Sequence, residues 1–329
     1  MNTRAYLFHG LKLEISGEAG ILAALEHWLG QFPAAPPGTP AHLRFEFRQV
    51  PDPSHYALQP PSGPSRSVLE MPGGQVRYFP ASHQLYIDFP HRARALCDAA
   101  SGEVRVAYPE SAVGNTRLLA YPCFTIPLAE LLKRHGLYMA HAAGLSLAGQ
   151  GLLLAGASGA GKTTLTIALL RAGFGFLGDD TLFLCPRAQG LRALAFPDEL
   201  DVTAHTASFF PELQALAHVP RPGSRPKQSW SPARVYKAVP TWECAPAVLV
   251  FPQAARADES LLTPMPKDAA FLELIGNVVR TDAPSAQAHL GALAALVQQC
   301  RCLRLHTGRD FAAVATLLRA ALNQAYPVA

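Results

Sequence analysis

Nowhere in its 329 residues does this chain carry the ~18 uninterrupted apolar positions that a membrane-spanning helix needs. Its opening stretch, MNTRAYLFHGLKLEISGEAG, also lacks the apolar core of a secretory signal. The expectation is a cytoplasmic protein with no membrane partner. Cysteine is sparse and scattered. Cys97, Cys123, Cys185, Cys244, Cys300 and Cys302 form no CxxC pair, and the Cys300–Cys302 spacing has no histidines at metal-finger distance. Reduced structural thiols are expected. A strong excess of one charge is missing too: 28 Lys and Arg against 24 Asp and Glu leave a net charge of +4. That is too mild for a dedicated nucleic-acid binder, so no nucleic-acid partner is expected.

What is present is apolar. At 49% hydrophobic and 16% charged, the chain can bury a sizeable core. Its length fits about two domains. PAAPPGTPA (33–41) and LQPPSGPSRS (58–67) read as loops, because such stretches propagate neither helix nor central strand. HLRFEFRQV (42–50), QVRYFP (75–80), QLYIDF (84–89) and EVRVAY (103–108) read as half-buried strands. A β-rich N-terminal domain over 1–116 follows, for acceptor recognition or assembly.

From RLLAYPCFTIPLAELLKRHG (117–136), a linker turning into an amphipathic helix, the texture changes. LSLAG and GLLLAG predict a hairpin, and a helix is expected from about Lys162 to Ala172. FGFLG and TLFLCP predict strands on either side of an Asp pair, and APAVLVFP predicts a buried strand. AHLGALAALVQQC and FAAVATLLRAALNQA predict helices. The fold class is α/β with a mixed sheet over 117–329.

Gly156-Ala157-Ser158-Gly159-Ala160-Gly161-Lys162-Thr163 satisfies the Walker A pattern, with an apolar strand before it and a helix-forming run after it. The glycines let successive N–H groups converge on phosphate oxygens. A helix N-terminus adds partial positive charge. Lys162 offers a point charge to the β- and γ-phosphates, and Thr163, followed by Thr164, offers a hydroxyl to Mg²⁺. A glycine loop that merely turned a corner would not explain Lys-Thr at its end. ATP and Mg²⁺ are therefore the expected cofactors.

Asp179 and Asp180 follow FGFLG, with 16 residues between Lys162 and Asp179, which predicts that they sit beside the cradle. Adjacent carboxylates repel unless they share a cation or a proton. One would help hold Mg²⁺ while the other takes a proton from an attacking hydroxyl. Asp-Asp-Thr would also suit a helix cap or turn. His141 lies 15 residues before Gly156 in an apolar setting, where a histidine is commonly a satisfied core residue.

Taken together, His141, LAGASGAGKTT and LGDD resemble the catalytic core of HPr kinase/phosphorylase and its relatives in the PEP-carboxykinase-like superfamily. The resemblance spans roughly residues 137–186, continues weakly through APAVLVF and LRLHTGRDFAAVATLL, and does not cover the N-terminal third. It implies a P-loop-containing HPr-kinase-like C-terminal domain that transfers phosphoryl groups from ATP to a seryl hydroxyl of a protein or peptide. Some relatives act on a small hydroxylated metabolite instead. By the same resemblance Asp179 is the general base, Asp180 a metal or structural carboxylate, and His141 a residue of the same site that tunes Asp179. A homo-oligomer is compatible with it, since ring-like assembly is known in that family. The family's glycine-bearing acidic motif after the Asp pair is absent. AFPDELDVT (195–203) is the nearest stretch, with Glu199 or Asp201 as a second metal ligand. That departure points to a kinase with a changed acceptor.

Between Val219 and Lys237, Arg221, Arg225, Lys227, Arg234 and Lys237 gather among prolines and serines. This segment is either a solvated loop or a flap supplying a cation to the transferring group, with Lys227 and Arg234 the candidates. A nucleotide-gated ATPase or switch and a small-molecule hydroxyl kinase are the alternative functions. No LSGGQ-like or NKxD-like signature accompanies the cradle.

Overall fold

The computed structural model describes the chain except residues 54–57, 113–115, 197–199, 219–226, 231–235, 237–239, 255–258, 277 and 326–329. Two compact units divide it: residues 1–137 with 279–288, and residues 138–278 with 289–329.

In the first unit, β1 (Asn2–Phe8) and β2 (Leu11–Gly17) form a hairpin across His9 and Gly10. Their φ angles of 48° and 88° are the left-handed pair that a two-residue turn demands. Helix α1 (Ala19–Leu29), which the β-rich reading did not contain, buries Ile21, Leu22, Leu25 and Leu29 as one stripe. In β3 (Leu43–Gln49), Leu43, Phe45 and Phe47 turn inward while Arg44 and Arg48 are exposed, the alternation of a half-buried strand. β4 (Arg66–Met71), β5 (Gly74–Phe79), β6 (Gln84–Phe89), β7 (Ala93–Asp98) and β8 (Glu103–Tyr108) complete an eight-stranded sheet in the order β1-β2-β3-β8-β7-β6-β5-β4. β3 pairs in parallel with β2 and β8, and the other neighbours are antiparallel.

Helix α2 (Thr116–Ala120) passes through a π-turn at Tyr121–Thr125 into α3 (Ile126–Lys133). Pro122 within that turn has no N–H for a regular ladder, which accounts for the wide spacing. On α3, Glu130 and Lys133 form a buried ion pair. Thr281 Oγ1 donates to Glu130 Oε1 at 2.9 Å, and Lys133 Nζ donates to the Val279 carbonyl at 3.2 Å.

The second unit contains β9 (Tyr138–Ala140), β10 (Ala142–Leu147), β11 (Gln150–Ala155), α4 (Lys162–Arg171), β12 (Gly175–Gly178), β13 (Leu182–Arg187) and β14 (Gly190–Ala195). After them come β15 (Leu200–Thr203), α5 (Ala204–Ser208), β16 (Lys227–Trp230), β17 (Glu243–Ala254), β18 (Leu261–Pro264) and α6 (Lys267–Ile275). Helix α7 (Ala283–Gln299), whose later part belongs here, precedes β19 (Arg301–Thr307) and α8 (Phe311–Ala325). The sheet runs β12-β10-β11-β17-β14-β13-β9, with β19 on β17 and β18 on β19. It is mixed: β17 is parallel to both β11 and β19, while β10–β11, β10–β12 and β13–β14 are antiparallel.

Both faces of this sheet are covered. Leu152, Leu154, Val248 and Val250 point into a cluster with Leu165, Leu169 and Leu318. The intervening Leu153, Ala155, Leu249 and Phe251 point into another with Leu293, Leu296 and Val297. Alternation with two apolar faces gives the unbroken runs GLLLA and AVLVF in the sequence. The fold is mixed α/β, as the sequence indicated. Among the described residues no helix is long and apolar enough to cross a membrane.

Candidate active site

β11 ends at Ala155 with β10 and β17 on either side, and the chain turns through Gly156–Gly161 into α4. Gly156, Gly159 and Gly161 have φ angles of 144°, 85° and 99°. Each angle lies in the region that L side chains enter only at a cost of about 1–2 kcal/mol. Gly161 is the N-cap of α4, so the first amides of the helix open toward the loop. Ala157, Ser158 and Gly159 are exposed, and Ala160 is half-buried.

Lys162 is folded back over this loop. Its Nζ donates to the carbonyls of Gly156 at 2.9 Å and Ala157 at 3.4 Å and to His141 Nε2 at 3.3 Å, and only 6% of the residue is exposed. His141 lies between β9 and β10, and its Nδ1 is 3.0 Å from the Asp180 carbonyl. A carbonyl only accepts and an ammonium only donates, so the imidazole is neutral with its proton on Nδ1. Burial first, and the Lys162 charge second, lower the His141 pKa and favour this form. Asp180 Oδ1, at 3.9 Å from Nε2, is beyond hydrogen-bond range.

Asp179 follows β12 directly. Thr163 Oγ1 donates to its Oδ2 at 2.7 Å. The residue is 2% exposed. Burial first, and the neighbouring Asp180 second, push its carboxyl up to about 7, against the downward pull of Thr163, Thr166 and Lys162. The Asp180 side chain is 50% exposed. Access to the two carboxylates thus runs opposite to the expected division of labour, in which Asp179 meets the acceptor.

The structure therefore brings Gly156–Thr164, Asp179, Asp180 and His141 to one place. Glu199 lies outside the described residues, as do Arg221, Arg225, Arg234 and Lys237. Lys227 opens β16, which pairs with β15. Among the described residues no three His, Cys, Asp or Glu side chains gather as a metal cage. The donor set fits Mg²⁺ all the same, since that ion is commonly held by one or two carboxylates plus substrate phosphates. Thr163 and Asp179, already joined to each other, are the residues that would hold it.

Three contributors escaped the sequence reading. Thr166 Oγ1 donates to the Lys162 carbonyl at 3.0 Å, one helical turn back, and its nearby hydroxyl draws the Asp179 carboxyl down. Its signal was a third threonine in KTTLT. Gly178 has no room for a side chain: a Cβ would stand 2.7 Å from the Thr181 carbonyl oxygen and 2.9 Å from that of Phe196. The glycine before the Asp pair marked that crowding. Thr206 Oγ1 lies 3.2 Å from Thr164 Oγ1, a long-range contact with no local signature.

The fold and this loop define a mixed α/β protein with a Walker A turn between a buried strand and a helix. In comparison with known proteins, the chain matches no family model and no curated protein. Among solved structures it is similar to the HPr(Ser) kinase/phosphatase from Coxiella burnetii, with 14% identity and a TM-score of 0.31. That alignment covers 55% of this chain and 94% of the other. A likeness of this size carries no argument about activity.

Proposed function

We propose that the chain is an ATP-dependent kinase that transfers the γ-phosphoryl group to a hydroxyl, most simply a serine hydroxyl of a protein or peptide. The observation that carries this reading is the 2.7 Å bond from Thr163 of the Walker A turn to the buried Asp179, with Lys162 held over the same loop. A P-loop hydroxyl paired with a carboxylate is the arrangement that holds nucleotide-bound Mg²⁺.

In this reading the loop amides and the N-terminus of α4 bind the phosphates. Lys162 leaves the carbonyls of Gly156 and Ala157 for the β- and γ-phosphate oxygens. Thr163 and Asp179 would hold Mg²⁺, which would supply charge neutralisation at the phosphates. The exposures support giving Asp180, rather than Asp179, the face toward the acceptor. The acceptor oxygen bonds to the γ-phosphorus as the bond to the β–γ bridging oxygen breaks, and ADP leaves. The acceptor's proton passes to the Asp180 carboxylate. Phosphoryl transfer with a loose transition state asks little of its base beyond position. His141 aligns that carboxylate's backbone through Nδ1–H and steadies Lys162 through Nε2.

Incubation of the purified chain with γ-labelled ATP and Mg²⁺, together with serine-bearing peptides, tests the proposal. Label on an acceptor supports the kinase. Label released only as inorganic phosphate favours an ATPase or switch. No turnover of any kind refutes catalysis.

A further inference from the structure

The phosphate cradle leaves open where the rest of the nucleotide lies. We infer that His205 and Phe209, backed by Phe311, form a stacking platform for the nucleobase. The inference rests on the nucleotide reading above and adds a binding site to it.

The direction comes from the first turn of α4. Consecutive helical residues project about 100° apart, at 3.6 residues per turn. Thr163 spends its hydroxyl on Asp179, whereas Thr164 reaches Thr206 of α5. One side of the turn is thus the carboxylate side, where the γ-phosphate must end. The next side is the α5 side. A Walker A loop holds the α- and β-phosphates on its amides and places its lysine toward the β/γ end. The nucleoside therefore leaves the cradle away from Asp179 and Asp180, toward α5.

On that side, His205 flanks Thr206 directly. The His205 and Phe209 rings lie 4.8 Å apart at 72°, and the Phe209 and Phe311 rings 5.3 Å apart at 68°. Phe209 is 38% exposed although its neighbour Phe210 is fully buried. Thr203 anchors the group: its Oγ1 accepts from the Thr206 amide at 3.1 Å as the cap of α5. A single exposed phenylalanine needs no explanation. A braced aromatic group one threonine pair away from a phosphate cradle fits a planar heterocycle, which stacks on aromatic faces. The chemistry recognised is a π-face and not a particular base edge.

Titration calorimetry with Mg²⁺ and either ATP or inorganic tripolyphosphate separates the base from the phosphates. Phe209→Ala should weaken ATP binding about tenfold and leave tripolyphosphate binding unchanged, while Phe209→Trp should keep ATP near the wild-type affinity. Equal loss for both ligands in Phe209→Ala, or no loss for ATP in a His205→Ala/Phe209→Ala double variant, overturns the platform. Lys162→Ala supplies the separate control. Undiminished binding of both ligands in that variant would refute the cradle itself, whereas loss of both in Lys162→Ala with Phe209→Ala indifferent refutes the platform alone.

Discussion

Thr163 and Asp179 are joined by a 2.7 Å hydrogen bond, with the threonine hydroxyl donating to a carboxylate that is almost wholly buried. The residues come from different elements, the first turn of α4 and the end of β12. Their pairing ties the phosphate loop to the carboxylate pair. It also leaves Asp180 as the more accessible acid.

The two aspartates should therefore respond differently to amidation. Asp179→Asn should raise the Mg²⁺ concentration needed for half-maximal turnover by tenfold or more, because it removes the carboxylate from the metal side. Asp180→Asn should lower kcat by 10²–10⁴-fold with little change in the apparent affinity for Mg²⁺-ATP, as expected for loss of a positioned base. Steady-state kinetics against Mg²⁺ and ATP decide it. The opposite pattern would return Asp179 to the acceptor side.

Asp179 also makes the stability of the nucleotide-free protein depend on pH. Its folded-state pKa, about 7, lies above the ordinary aspartate value of ~4. The stability gained by keeping it protonated is complete below that ordinary value and is lost as pH climbs to about 7. Three pH units correspond to roughly 4 kcal/mol as an upper scale. Relative to wild type, Asp179→Asn should gain stability between pH 4 and 7 and level off above 8. Denaturant titrations across that range would contradict the assignment if the difference stayed flat.

Gly178→Ala should fold yet lose most activity. A methyl group there meets two carbonyl oxygens rather than a pliable side chain, so the backbone must shift just ahead of Asp179. Gly161→Ala probes a different cause. Nothing crowds its Cβ, but φ is 99°, so the expected cost is about 1–2 kcal/mol of backbone strain. Thermal melts together with turnover separate the two, and a wild-type rate in Gly178→Ala would dismiss the crowding argument.

In the other unit, Lys133→Met should destabilise by up to about 3–5 kcal/mol, because the buried Glu130 then keeps only Arg134, at 3.7 Å, and the Thr281 hydroxyl as partners. Lys133→Met combined with Glu130→Leu should recover much of that loss. Chemical denaturation measures both, and additive penalties would show that the ion pair is not the source.

The strongest local patterns were readable from the sequence. QLYIDF and EVRVAY are β6 and β8 as predicted, and the LSLAG–GLLLAG hairpin closes at Ala148 and Gly149, with φ of 50° and 80°. The Walker A turn was legible because glycine spacing and Lys-Thr state their own chemistry. Less was visible in β1, β2 and α1, where short polar interruptions blur the period and packing against the sheet decides the outcome. The relative burial of Asp179 and Asp180 had no sequence signature. It follows from β12 pairing with β10, a contact between residues about thirty apart in sequence.

The assignment of residues 279–288 to the same body as residues 1–137 has a consequence for biogenesis. Glu130 and Lys133 obtain Thr281 and the Val279 carbonyl only from this late segment. A ribosome that has made the first 137 residues has not yet supplied the hydroxyl and the carbonyl that complete the hydrogen bonding of this buried ion pair. Completion of the N-terminal body must wait until nearly the whole polypeptide has been synthesised. A gene fragment cut after residue 137 would keep the ion pair but leave it short of these buried hydrogen-bond partners.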